Sequence, residues 1–174
     1  MLQLIPNPGT SVAAPAFAPV YHSYAILLSQ DCDLASDDLT RQQLEDSSLN
    51  SEQIGKKRKK LLKQALFCEM ALSEGSIAAF ADGGSKDTLK KNDDFRYHIL
   101  QAVTKEADSN AEGIPSLIVN FKQLFTVPME DLLIRIASQE TRRRCCMNSP
   151  YFEHVSNRFT YYIGRIGLPQ NHLV

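Results

Sequence analysis

The chain has 174 residues and a mass of 19.5 kDa, a length that suggests one domain able to bury roughly 70% of its unfolded surface. Its 43% hydrophobic and 22% charged content is that of an ordinary soluble globular protein. Nineteen basic residues against twenty acidic ones, a net charge of -1, exclude a general polycation, so any role on nucleic acid has to come from a local patch.

Residues 1–20 hold Pro6, Pro8, Pro15 and Pro19 and read as a proline-rich extended arm. A single globular domain is expected over 21–174. Its first strand lies within 21–29, where the short apolar run Ala25-Ile26-Leu27-Leu28 suggests burial on both faces. The strand ends in Ser29-Gln30-Asp31-Cys32-Asp33, polar residues at the mouth of a buried strand, where binding groups often lie. Ser36 or Asp37 can cap a short helix and Ser51 a better one, with Ile54, Arg58, Leu61, Leu62 and Ala65 on one stripe. The outer face of that second helix is the basic run Lys56, Lys57, Arg58, Lys59 and Lys60.

Residues 65–70 predict a second strand. Gly83-Gly84 and Asn92-Asp93-Asp94 are turn signals around a short amphipathic piece with Leu89. A third strand over 95–103 puts Phe95, Tyr97, Ile99 and Gln101 on one face and Arg96, His98 and Leu100 on the other. After a polar loop, 116–121 is a fourth strand, and Pro128 opens a helix with Leu132, Leu133 and Ile136. Arg142 to Met147 read as a last short strand, on which Cys145 and Cys146 point to opposite sides. Ser149-Pro150 starts a long helix to about Ile166 with Phe152, Val155, Phe159, Tyr162, Ile163 and Ile166 on its buried stripe, and Gly167-Leu168-Pro169 stops it.

Strands do not alternate regularly with long helices, so a doubly wound sheet is disfavoured. The expected class is α+β with a mainly β core. It would be a small curled antiparallel sheet or SH3-like barrel with peripheral helices and a long C-terminal helix. Ile26, Leu27, Leu28, Leu66, Ile99, Ile118, Phe121, Phe152, Val155, Phe159 and Ile163 are expected to be buried. Four cysteines with no paired spacing speak against a disulfide framework, no apolar run is long enough to span a membrane, and no signal peptide is read. A reducing cytoplasm is the expected compartment.

The polar cluster with the most chemistry is Asp31, Cys32 and Asp33, with Glu69 and His98 as partners if the first three strands are neighbours. Thiolate, imidazole and carboxylate are zinc ligands, and Cys32, Cys68 and His98 form the candidate metal set. The same groups can make a Cys-His nucleophile with an acidic orienter, or serve as packing and turn residues with no cofactor at all. The basic run, with Arg142 and Arg144, is the candidate nucleic-acid contact, although no aromatic side chain interleaves with it to stack on bases. Arg143 is expected to pair with an acid. No GxGxxG, Walker loop, HExxH or GxSxG occurs, which argues against dinucleotide, NTPase, zincin and hydrolase chemistry.

Three stretches together resemble a group of uncharacterised bacterial proteins that carry a Ser-Gln-Asp-Cys-Asp motif. They are residues 27–34, residues 95–103, and the C-terminal phrases 120–132 and 149–159. The layout is in turn similar to the MazF/PemK toxins, small SH3-like barrels that cut RNA. Those toxins use an arginine before the second strand and a Ser/Thr after the third to stabilise a pentavalent phosphate. The corresponding places here read His22-Ser23 and Met70-Ala71, so the resemblance implies the barrel and not the catalytic pair. It implies a binding or interaction protein, one component of a multi-protein toxin- or defence-type system, whose partner is another protein or a second copy. The alternatives are a nucleic-acid-acting toxin and a Cys/His/Asp metal-binding module.

Overall fold

The structure is a computed structural model that describes residues 21–80 and 86–164. The expectations for the proline-rich arm, Gly83-Gly84 and the 167–169 helix stop lie outside the described residues. In chain order the elements are β1 (Tyr24–Leu27), α1 (Asp31–Leu44), α2 (Ser51–Arg58), β2 (Gln64–Leu72), α3 (Ser73–Phe80), α4 (Lys86–Lys90), β3 (Tyr97–Leu100), β4 (Leu117–Pro128), α5 (Met129–Ala137) and α6 (Tyr151–Ile163). The four strands form one antiparallel sheet in the order β1-β2-β4-β3, an open α+β arrangement with β1 and β3 at its edges.

The edge position corrects the reading of the first strand. Ile26 is its one buried residue and Leu27 is 39% exposed, because β1 pairs with β2 alone and one of its faces has little to cover it. The long strand β4 forms the centre. Its ladder with β2 jumps from Cys68↔Leu124 to Met70↔Val119, so residues 120–123 form a bulge without partners on β2 opposite Glu69. The Asn120 side chain holds that bulge, accepting from the Lys122 N–H (3.2 Å) and donating to Gln123 Oε1 (2.9 Å).

Alternation along the strands sends two sets of side chains to opposite faces. On one face Ile26, Cys68, Val119 and Phe121 pack with Val155, Phe159 and Tyr162 of α6. On the other Tyr97, Ile118 and Ile99 pack with Ile77, Phe80 and Leu89 from α3 and α4. A third cluster joins Ala65, Met129 and Leu132 with Leu34, Leu62, Phe67 and Val127, seating α5 and α1 at the far end of β2 and β4. The C-terminal helix follows the Ser149-Pro150 signal but starts at Tyr151 with Pro150 as its N-cap and no side-chain capping bond from Ser149, and Phe152 (42% exposed) and Ile163 (56%) are not in its core stripe. They lie on the flank of α6 beyond Val155 and Phe159, where the sheet no longer reaches.

Two helices were misread locally. α2 is capped by Asn50, whose side chain accepts from the Gln53 N–H (2.9 Å) while Gln53 returns the bond to the Asn50 N–H (3.0 Å). α1 is longer than expected and includes Asp37 in its interior, where the carboxylate is 2% exposed. Asp37 accepts from Arg41 Nε (2.6 Å) and from the Leu62 N–H (2.7 Å), fastening α1 to the segment that enters β2. Asp37→Ala strands a half-buried guanidinium and a backbone donor, and is expected to lower unfolding free energy by about 2 kcal/mol. Urea denaturation checks this, and an unchanged midpoint would show that α1 is not held by that carboxylate.

Candidate functional site

The motif Ser29 to Asp33 is a strand end followed at once by a helix start. Leu28 donates its N–H to Leu66 O (2.8 Å), and the Ser29 hydroxyl accepts from the Leu66 N–H (2.9 Å), which closes the β1–β2 pairing. Gln30 is the N-cap of α1, and Asp31 and Asp33 sit in its first turn, where a carboxylate faces the positive end of the helix dipole. Asp31, Cys32 and Asp33 are all exposed, and among the described residues the Cys32 thiol bonds only Gln30 Oε1 (3.5 Å) and Asp33 Oδ1 (3.9 Å).

The residues expected to join them occupy other environments. Glu69 approaches His22 Nδ1 at 3.3 Å, and the His22 ring stacks on Phe125 with centroids 4.0 Å apart. Cys68 is fully buried, and its thiol donates to Asn120 O (2.9 Å). Burial pushes this thiol up to about 12, so at neutral pH it is a protonated packing group and not a thiolate. His98 is 6% exposed, its Nδ1 has no hydrogen-bond partner, and it titrates down at about 4. Desolvation is the main cause, with the nearby charges of Arg158 and His154 adding to it. The expected convergence is therefore three separate places. β4 lies between β2 and β3, and no contact among the described residues joins Asp31, Cys32 or Asp33 to Glu69 or His98. Nor does any group of three or more His, Cys, Asp or Glu among the described residues gather as a metal site, so Cys32, Cys68 and His98 are not brought together as a zinc set.

The arginines exchange roles relative to the sequence reading. Residues 142–147 are not a strand, and Arg144 is the residue that pairs. Its Nε and Nη2 donate to the two oxygens of Asp108 (2.7 and 2.6 Å). The Asp108 carboxylate, with no solvent-exposed surface, also accepts from the N–H groups of Asn110 (3.2 Å), Glu112 (3.1 Å) and Gly113 (2.9 Å). The Arg144 guanidinium and these bonds hold the Asp108 carboxyl well below the usual carboxylate range. Gly113 permits the turn: its φ is +83°, and a side chain there would meet Val103 O at 3.2 Å. Arg142 stays exposed, donating to Gln139 Oε1 (3.1 Å), and Arg143 is exposed with no acid beside it among the described residues. Nothing in the sequence spacing pointed to Asp108, because its partner lies 36 residues away.

The basic run ends α2 and continues beyond it. Lys57 donates to Gln43 Oε1 (2.5 Å) and Lys56 pairs with Glu52 (2.6 Å). Arg58, Lys59, Lys60 and Lys63 are exposed and, among the described residues, face no acidic partner. Beside them α1 carries exposed Asp31 and Asp38, followed by exposed Glu45 and Asp46. Leu34 of α1, Leu62 after the basic run and Met129 and Leu132 of α5 share one cluster, so these elements meet at one corner of the molecule. There the second half of α5 is uncovered: Leu133 is 37% exposed, Ile134 65% and Ile136 47%. An apolar helix end, an acidic helix and a basic run thus lie around one corner, which sequence periodicity alone had not distinguished from a buried helix.

The surface clefts are small and open. One of about 290 Å³ is lined by Ser23, Tyr24, Asn110, Gln139, Glu140, Arg142 and Arg144, and one of about 370 Å³ by Thr88, Asp93, Asp94, Phe95 and Arg96. Among the described residues no helix is long and apolar enough to cross a membrane. Comparison with protein-family models, curated proteins and solved structures finds no match to the chain.

Proposed function

We propose that the protein is a binding protein that works by docking onto another folded protein surface, and that the first such surface is a second copy of itself. The observation that carries this reading is the uncovered end of α5, where Leu133, Ile134 and Ile136 project from a helix whose Met129 and Leu132 are buried. Exposed apolar groups rimmed by charge are the usual makings of a protein interface. The rim supports a second copy in particular. Acidic α1 and Arg58, Lys59 and Lys60, which face no acid among the described residues, lie beside the same apolar end, so two copies related by a two-fold axis can set acid against base twice. A net charge of -1 offers little repulsion between copies. A role as one component of a cytoplasmic multi-protein system of toxin or defence type rests on the resemblance described above.

Sedimentation velocity of the full chain at about 100 μM, where a micromolar dimer is formed, tests the reading. The wild type is expected to sediment as a dimer. Ile134→Glu is expected to be monomeric with unfolding changed by no more than about 0.5 kcal/mol, since the position is exposed in the folded protomer. The double variant Lys59→Glu, Lys60→Glu is expected to weaken the dimer about tenfold, and adding Asp31→Lys and Asp38→Lys to recover part of it. A wild type that is monomeric at this concentration overturns self-docking. If that monomer is also retained on RNA or DNA at low salt and released as salt rises, the basic run is a phosphate contact instead.

A further inference from the structure

The neighbouring thiols of Cys145 and Cys146 lie outside the surface just described. On a strand they would face opposite ways, but residues 142–148 have no regular secondary structure. Both are free thiols, Cys146 exposed and Cys145 half-buried. Among the described residues neither one engages its own N–H or C=O in a backbone hydrogen bond, so the peptide between them can turn without breaking a ladder or a helical turn. The ends of the pair are fixed. Arg144 is clamped by Asp108, and its carbonyl accepts from the Ser109 N–H (2.7 Å). Met147 packs on the cluster of Phe121 and Val155.

An exposed thiol beside a sheltered one, on a stretch of free backbone between two anchors, is the arrangement of an attacking and a resolving cysteine. We propose that Cys145 and Cys146 form a site for low-molecular-weight disulfides, closing to a reversible vicinal disulfide by thiol–disulfide exchange. The Cys146 thiolate attacks one sulfur of the small disulfide R–S–S–R, forming a mixed disulfide and releasing one thiolate RS⁻. The Cys145 thiol then gives its proton to solvent, attacks the Cys146 sulfur and releases the second RS⁻. The two cysteines lose two electrons, the small disulfide gains them, and the two protons end on the two RSH products. Burial raises the Cys145 thiol, and the neighbouring Cys146 and Asp108 raise it further, which fits the exposed Cys146 as the first to react.

The test is incubation of the reduced full chain with glutathione disulfide, alkylation of remaining thiols, and mass mapping of the tryptic peptide that begins at Cys145. The expected peptide is unalkylated and about 2 Da lighter than the dithiol, and dithiothreitol restores two alkylation sites. In Cys145→Ser the same treatment is expected to stop at one glutathione on Cys146. The proposal is overturned if the wild-type peptide carries two alkyl groups or two glutathiones. It is equally overturned if wild type and Cys145→Ser accumulate the same single adduct, or if Cys146 is found linked to Cys32 or to a second chain. The wild-type map decides the matter even where the variant does not fold.

Discussion

Phe121→Ala is expected to lower unfolding free energy by about 3–5 kcal/mol, a large part of the 5–15 kcal/mol that a domain typically has. The side chain has no exposed surface and is the largest of the fully buried ones. It sits inside the β4 bulge, with its N–H bonded to Arg96 O (3.0 Å) and its ring 5.8 Å from Phe159 and 6.1 Å from Tyr162. Truncation therefore removes the largest of the side chains that join the sheet to α6 and leaves a cavity between them. Denaturant unfolding followed by circular dichroism measures the loss, and Phe152→Ala is the internal comparison. Both phenylalanines were expected in the core, but Phe152 is 42% exposed and its truncation should cost less than about 1 kcal/mol. Equal losses at the two positions would mean that α6 packs on the sheet by a different face.

Acidification is expected to destabilise the fold through His98. Its folded value of about 4 lies below the 6.5 of a free histidine, because the buried ring cannot be charged without losing its water and meeting Arg158 and His154. The unfolded chain binds that proton first. The stabilising preference for the neutral ring is thus fully present above about pH 6.5 and is lost as pH falls from there through about 4. The drop corresponds to up to about 3 kcal/mol over that interval. Unfolding free energy measured at steps between pH 7 and pH 4 should fall with a slope that His98→Leu reduces. Identical slopes in wild type and variant would show that another group carries the acid sensitivity. Asp108 contributes in the same direction, since its depressed carboxyl gives stability that is present above the ordinary carboxylate range and lost only in stronger acid.

Those two predictions rest on features that stood differently in the sequence. The core strand around Phe121 was legible, because six consecutive mostly apolar residues between turn signals leave few alternatives to a central strand. The start of α6 was legible for the same local reason, and so was the alternation that puts Tyr97 and His98 on opposite faces. That His98 would be buried without a partner on Nδ1 was not. Period-two alternation tells which residues share a face, and says nothing of which face receives a helix.

The polar motif shows where local reading stops. Asp31, Cys32 and Asp33 follow an apolar strand both in a loop that lines a site and in the first turn of a helix, and both uses favour the same residues. In this fold the helix begins at Asp31 and is tied through Asp37 to Leu62, 25 residues away, with the acids of its first turn exposed. In the same way the Asp108–Arg144 bridge and the separation of Glu69 from His98 depend on strand order and on loops that close over tens of residues. Periodicity, caps and turn residues act over one or two turns of chain, and to that range the sequence by itself determined the α+β class, the places of four strands and the C-terminal helix, while the strand it suggested over 142–147 is not formed. Which carboxylates are buried, which apolar helix end is left bare, and which charged elements meet beside it were decided only by tertiary packing, because each depends on a partner remote in sequence.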